Sequence, residues 1–427
     1  MTILAKFRWL WRELTLPRSL AGVARARHER RGIAILVVIS ALMIITVLVT
    51  ELVYSSRVRY MVAMHERDRV QAYWLARSGV NMHQLILLAN KEISNNPQVK
   101  QGLEMLGMGG TFEFWNFPFV QSMNTGMLRM LLTGGGDIES VDDDVVEEFK
   151  QTGRFSQADG EELSSSIFDD RDFLSFEGDF SSEISDHESR VNINVFATEN
   201  VSTAQESATG QFLFALMSKE DDLTWFRQRS LDPWEIIGNL KDWVDADTIR
   251  SGGRGGYEDS LYNTLDPPYL TKNAPFDSME EIRLVAGWEG EVCDRYCDKL
   301  SIYGNNEGKI NMNTMDDTFI LAIVNSCIEG GTALRPQQIM DGMQRLQDSW
   351  LLGRPTYDEP AQLVQDLVNI AGFPVNQQCA TDKLTTKSQV FTIASTGLVG
   401  TSEVTIEAVF DFSGNTREGV LQYWRVR

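Results

Sequence analysis

Histidine is scarce in this chain, four residues in 427, and so are the patterns by which side chains usually assemble into catalysts. His28, His65, His83 and His187 stand apart from one another, and none has the partner spacing of a metal ligand. Neither G-x-S-x-G nor H-E-x-x-H occurs, which removes the usual serine-hydrolase and zinc-protease signatures. No Lys-Ser or Lys-Thr follows the glycines at 252–256, so no phosphate-cradling loop is expected there. Adjacent acids such as Glu280 and Glu281 read as the solvent face of a helix. An enzyme is not expected. Basic charge is also in deficit, 39 Lys+Arg against 60 Asp+Glu, which argues against nucleic acid as a partner.

Charge itself is missing from residues 33–50, eighteen positions with none, and continuing through Tyr54 adds only Glu51. As a helix this stretch is about 30 Å long, the thickness of a bilayer core. Ser40 and Thr46 are its strongest polar residues, too weak a polar face for a buried core helix of a soluble domain. Residues 1–32 hold eight Lys/Arg against Glu13 and Glu29, a charge of +6 on a chain of net −21, so the remainder carries −27. A basic head before an apolar span favours an orientation with the head in the cytoplasm, although Arg57, Arg59, Arg67 and Arg69 follow the span. No small-x-small cleavage pattern follows the apolar run. The processing-like feature lies before it, at Arg31-Gly32-Ile33, where glycine offers a peptidase an unhindered backbone.

Helical spacing continues beyond the span through Tyr60, Met64, Tyr73, Trp74, Val80, Leu87 and Leu88, and the pattern predicts one helix stopping at 94–97. "GMGGTFEFWNFPF" has aromatic strand character, and "GGGDIESVDDDVVEEF" reads as an exposed acidic loop. "FLSFEGDFSSEISD" and "SRVNINVF" alternate and predict a β-hairpin with a polar turn at Asp186-His187-Glu188-Ser189. Residues 201–385 turn helical in short segments broken by Gly, Pro and Asn. "SQVFTIASTGLVG", "TSEVTIEAVFDFS" and "GVLQYWRVR" then alternate as three strands, with a turn at 413–416. The expected fold class is α+β: a long N-terminal helix packed on an antiparallel sheet, with a large all-α domain inserted in that sheet. The expected divisions are 1–32, a cleaved leader; 33–94, the helix, with its membrane part at 33–53; 95–200, the first strands; 201–385, the insertion; and 386–427, the closing strands. No internal repeat is evident.

The densest polar cluster is "DWVDADTIRSGGRGGYEDSLY". Asp242, Asp245, Asp247, Glu258 and Asp259 supply hard oxygens, and the glycines between them permit a sharp loop, a set that suits Ca²⁺. The spacing is not that of an EF-hand, and a solvated acidic loop is the alternative. Four cysteines, Cys293, Cys297, Cys327 and Cys379, fall in the helical block. In an extracytoplasmic body an even count suggests disulfides. Cys293–Cys297 with Cys327–Cys379 is the favoured pairing, while the other two pairings and four buried thiols stay open.

Together, the basic leader, glycine and uncharged helix resemble the class III signal of type IV pilins and type II secretion pseudopilins. "AYWLARSGV", "SEISDHESRVNIN", "DWVDADTIRSGGRGGYEDSLY" with "PYLTKNAPFDSMEEIRLVAGW", and "KINMNTM" are similar to blocks of the K-type minor pseudopilins. The likeness runs from about residue 32 to the C-terminus and is weakest over 95–170. It implies that prepilin peptidase cuts after Gly32 and methylates the amine of Ile33. It further implies a place at the pseudopilus tip with I-type and J-type minor pseudopilins as partners, a single inner-membrane anchor set in lipid, and a periplasmic body that binds calcium near Asp242–Asp259. Most pilins carry Glu at the fifth mature position. Here that residue is Val37, as the K family's pattern also implies, and a subunit without that buried carboxylate fits an end better than a repeated shaft. A leader of this length is long for the class. The alternative is another single-span anchored protein, such as a type IV pilus minor pilin.

Overall fold

The computed structural model describes residues 23–95, 113–132, 177–251, 256–305, 307–331, 334–350, 354–414, 416 and 418–427. The leader's first part, the acidic run at 134–149 and the loop glycines Gly252, Gly253 and Gly255 lie outside them.

Helix α1 runs from Val23 to Asn95, starting before the expected residue 33, so Gly32 and Ile33 both lie within it. Two compact units divide at Asp68. In the first, every side chain from Ala34 to Tyr54 is exposed, and the helix is long and apolar enough to cross a membrane. A helix apolar on all sides suits lipid rather than water. Its few hydroxyls are satisfied within the helix: Ser40 Oγ donates to the Leu36 carbonyl at 2.8 Å and Thr46 to that of Leu42 at 2.7 Å.

In the second unit, from Arg69 onward, one face of α1 packs on a five-stranded antiparallel sheet. Its strands are β1 (Ser122–Asn124), β2 (Asp179–Asp186), β7 (Val390–Val399), β8 (Ser402–Asp411) and β9 (Val420–Val426), in the spatial order β1-β2-β7-β8-β9. Alternation along β7 and β8 puts Ile393, Ile406 and Ala408 under Ala76, Val80 and Leu87 of α1. The approach is close because the facing residues are small. A Cβ on Gly397 would meet the Ala72 carbonyl oxygen at 2.0 Å, and one on Gly79 would meet Ser395 Oγ at 2.3 Å.

The predicted hairpin is absent. β2 pairs with β1 and β7, while its expected partner forms only the short β3 (Val191–Asn192), which pairs in parallel with β4 (Leu300–Ser301). The linker is buried rather than a solvated turn: Asp186, His187 and Glu188 are each 5% exposed or less. The aromatic stretch also departs from expectation: its described residues form a 3₁₀ turn at Phe114–Asn116 and a helical turn at Pro118–Gln121, with a strand at 122–124 followed by helix α2 (Thr125–Leu132).

Between β2 and β7 the chain leaves the sheet for a helical body with its own core, and that core already includes Val191, Ile193 and Phe196, ahead of residue 201. Its longer helices are α3 (Ala208–Leu216), α4 (Glu220–Gln228), α5 (Pro233–Val244), α7 (Asp317–Ser326), α8 (Pro336–Ser349) and α9 (Pro360–Asn369), with shorter α6 (Glu291–Tyr296) and α10 (Gln377–Asp382).

This body contains an internal repeat, contrary to the reading from sequence. β3 and β4 form one parallel pair; β5 (Ile310–Asn311) and β6 (Leu384–Thr385) form the other. After β3, Asn194 clamps a distant segment: its Oδ1 accepts from Phe276 N at 2.7 Å, and its Nδ2 donates to the carbonyls of Phe276 and Ile302. After β5, Asn313 does the same with Tyr357 N at 2.8 Å and the carbonyls of Tyr357 and Thr386. Each clamped residue precedes a capping box, Ser278 with Glu281 and Glu359 with Gln362. Each copy then has Ala-Gly-aromatic, with Gly287 at φ 85° and Gly372 at φ 73° in the left-handed region. Asp298-Lys299-Leu300 and Asp382-Lys383-Leu384 then lead into β4 and β6.

Candidate metal centre

Helix α5 positions the first part of the site. Asp232 caps it by accepting from Trp234 N at 2.9 Å, Pro233 opens the first turn, and every residue from Ile236 to Val244 is buried. Asp242 and Asp245, three apart, therefore share one face at the helix's C-terminal end. The chain then returns as a narrow ribbon in which Ile249 bridges Tyr257 in antiparallel fashion, while Glu258 N donates to the Thr248 carbonyl at 3.3 Å. Ile249 and Tyr257 face solvent, so strand alternation turns Glu258 inward, where it is 1% exposed.

The result is a trio. One carboxylate oxygen from each of Asp242, Asp245 and Glu258 lies within 4.8 Å of the others. Asp242 Oδ1 accepts from Ser251 N at 2.7 Å, and Asp245 Oδ2 contacts the ammonium of Lys241. Asp242 Oδ2, Asp245 Oδ1 and both oxygens of Glu258 are buried without a hydrogen-bond partner. Burial pushes the Asp242 carboxyl up to about 6. Burial, with the charges of Asp242, Asp245 and Asp247 added, pushes Glu258 up to about 8. Asp245 is raised by the same desolvation, opposed by Lys241.

Three hard oxygens with unpartnered lone pairs and spacing of this size fit a single oxygen-loving divalent cation. The trio includes neither of the other two expected ligands. Asp247 is exposed and its Oδ1 accepts from Ile249 N at 2.7 Å. Asp259 is turned to the far side of the ribbon, where its Oδ1 accepts from Thr271 N at 3.0 Å and Thr271 Oγ1 at 2.8 Å. Reading by residue type missed Lys241, 1% exposed at the core of the cluster. Its position four residues before Asp245 on a helix was the available signal. The second copy of the repeat does not carry the trio: counted from the opening proline of α8, Arg345 stands where Asp242 stands in α5, and it donates to the Ile370 and Ala371 carbonyls.

The cysteines are joined as Cys293–Cys297 and Cys327–Cys379. Two histidines have structural roles. His187 shares hydrogen bonds with Ser301 Oγ at 2.8 Å and Thr392 Oγ1 at 2.7 Å, and His83 lies 2.8 Å from the Val120 carbonyl.

Residues 189–304, which contain the trio and the first copy of the repeat, match the family model described as Type II secretion system (T2SS), protein K. Type II secretion system protein K of Klebsiella pneumoniae is 32% identical over 81 residues, 19% of this chain and 24% of that protein. Its counterpart from Pectobacterium carotovorum subsp. carotovorum is 26% identical over 142 residues, 33% of this chain and 41% of that protein. The matched segments thus span well under two thirds of those relatives. Among solved structures, the GspK-GspI-GspJ complex from the enterotoxigenic Escherichia coli type 2 secretion system contains a chain similar to this one, with TM-score 0.43 and 17% identity, covering 59% of this chain and 80% of that one. Residues 189–304 are thus similar to a domain of the type II secretion system protein K family.

Proposed function

We propose that the chain is a minor pseudopilin of the K type, a non-enzymatic cap at the tip of the type II secretion pseudopilus that supports its assembly and protein export. The observation that carries this reading is a fully exposed apolar helix joined in one chain to an antiparallel sheet interrupted by the family's domain. In this reading prepilin peptidase cuts after Gly32 and methylates Ile33, and the helix is anchored in inner-membrane lipid with the body in the periplasm. I-type and J-type minor pseudopilins pack beside it. Lipid gives apolar helices little drive to associate, so that packing rests on close fit and polar contacts. Asp242, Asp245 and Glu258 hold Ca²⁺, which ties the end of α5 to the ribbon at 248–258. Mass spectrometry of the mature protein tests the processing: N-methylated Ile33 supports it, and an N-terminus retained at Met1 rejects it. Co-purification with two smaller pilin-like subunits tests the assembly, and its absence from solubilised membranes counts against the tip role.

A further inference from the structure

The three carboxylates of the metal centre share their buried space with a cation. Lys241 lies on the last turn of α5 beside Asp242, and its ammonium meets Asp245 Oδ2 while the residue is 1% exposed. An ammonium is costly to bury, and a lysine on a surface helix normally extends into water. Among the described residues, the other charged groups of the ribbon are engaged elsewhere: Arg250 pairs with Glu235 at 3.2 Å, Asp247 is exposed and accepts from Ile249 N, and Asp259 accepts from Thr271. With all three carboxyls ionised, the state in which they would ligate a cation, the buried set comprises three negative charges and one positive, a net −2. The second copy of the repeat supplies a contrast. Where Arg345 replaces Asp242, the position of Lys241 is taken by neutral Gln344, so the lysine occurs in the copy that has the carboxylates.

We propose that Lys241 sets the charge of this centre: its ammonium reduces three buried carboxylates to a net −2 and so matches them to one divalent cation and disfavours a trivalent one. The inference rests on the metal reading above. An ion entering the trio approaches within a few ångströms of the ammonium through a medium far less screening than water. The repulsion grows with the ion's charge, so it opposes Tb³⁺ more than Ca²⁺ although their sizes are similar. Removing the ammonium leaves a net −3 and shifts the relative affinity toward the trivalent ion.

Full-length protein in detergent is titrated with TbCl₃, read by terbium luminescence excited through tryptophan, and the terbium is then displaced with CaCl₂. Lys241→Gln and Lys241→Met remove the charge; Lys241→Arg keeps it. The expected result is a rise of about tenfold or more in affinity for Tb³⁺ relative to Ca²⁺ in both neutral variants, with the arginine variant close to the wild type. An unchanged ratio in the neutral variants, with both ions still bound, overturns the role of Lys241. Failure of the wild type to bind either ion overturns the metal reading itself. A neutral variant that folds only with metal is read by which ion restores its melting transition. Restoration by Tb³⁺ at lower concentration supports the proposal, and restoration by both ions at equal concentration overturns it.

Discussion

Glu258 and Asp259 are adjacent acids of the same chemical type, and the backbone alone separates their fates. Alternation along the ribbon buries Glu258 with two unpartnered oxygens, while Asp259 is held by the Thr271 amide and hydroxyl. Glu258→Gln removes one charge and one ligand with little change in volume, whereas Asp259→Asn keeps an acceptor for Thr271 and leaves the trio intact. Calcium at a hundredfold excess over Kd stabilises the native state by about 2.7 kcal/mol, which raises the melting temperature by about 4 °C for a body of this size. Thermal melting with Ca²⁺ and then EDTA should show that shift in the wild type and in Asp259→Asn, and none in Glu258→Gln. A full shift in Glu258→Gln would remove that residue from the site.

At the scale of elements, the contact between α1 and the sheet depends on the missing side chain of Gly397. A Cβ there meets backbone at 2.0 Å, the Ala72 carbonyl, which cannot move without shifting the helix. The clash at Gly79 is with side chains, the Ser395 hydroxyl at 2.3 Å and the Phe180 ring at 2.9 Å, which can shift without moving backbone. Gly397→Ala is expected to cost about 2–3 kcal/mol and Gly79→Ala less, measured by urea unfolding of the detergent-solubilised chain. The asparagine clamps are the second test. Asn194→Ala and Asn313→Ala each leave a buried amide and its carbonyls without a partner, a loss of about 2–4 kcal/mol apiece. Asn194→Asp, which keeps the acceptor but sets a charge against two carbonyls, should not rescue it. These elements were unequally legible in the sequence. The closing strands and helices α5, α8 and α9 announce themselves through strict alternation, opening prolines and 3.6-residue spacing. The partner of β2 does not, because β7 enters the sheet more than two hundred residues later and nothing local encodes that pairing. The repeat is hidden because its copies share only scattered positions, Asn-x-Asn, Ala-Gly-aromatic and Asp-Lys-Leu, over segments of unequal length. The site was half legible: residue type found the acids, but choosing Glu258 over Asp259 needed the ribbon's register, and burial of Lys241 runs against its usual place in water.

At the scale of the whole second unit, sheet and insertion meet where the chain leaves β2 and returns to β7, and this junction is built from buried acids. Asp186 accepts from Ser388 Oγ at 2.6 Å and Thr314 Oγ1 at 2.9 Å, Glu113 from Ser388 N at 3.1 Å, and Glu188 from Val390 N at 3.3 Å. Burial, together with the charge of Asp186, raises both Glu113 and Glu188 to about 8, while burial and the nearby Arg190 push His187 down to about 3. The two effects have opposite signs. A carboxyl with a raised folded pKa contributes stability that is complete below its ordinary value near 4.5 and lost as the pH climbs through 8. The depressed histidine contributes stability that is complete above 6.5 and lost as the pH falls toward 3. Above pH 7 only the carboxyl effect still changes, so the unfolding free energy should decline from pH 7 to pH 9. Glu113→Gln and Glu188→Gln, already neutral, should each flatten that decline by about 1 kcal/mol. Urea unfolding at both pH values decides it: equal declines in wild type and variants would mean that these carboxyls are ionised in the folded protein, and that sheet and insertion are joined without the protons that the buried junction requires.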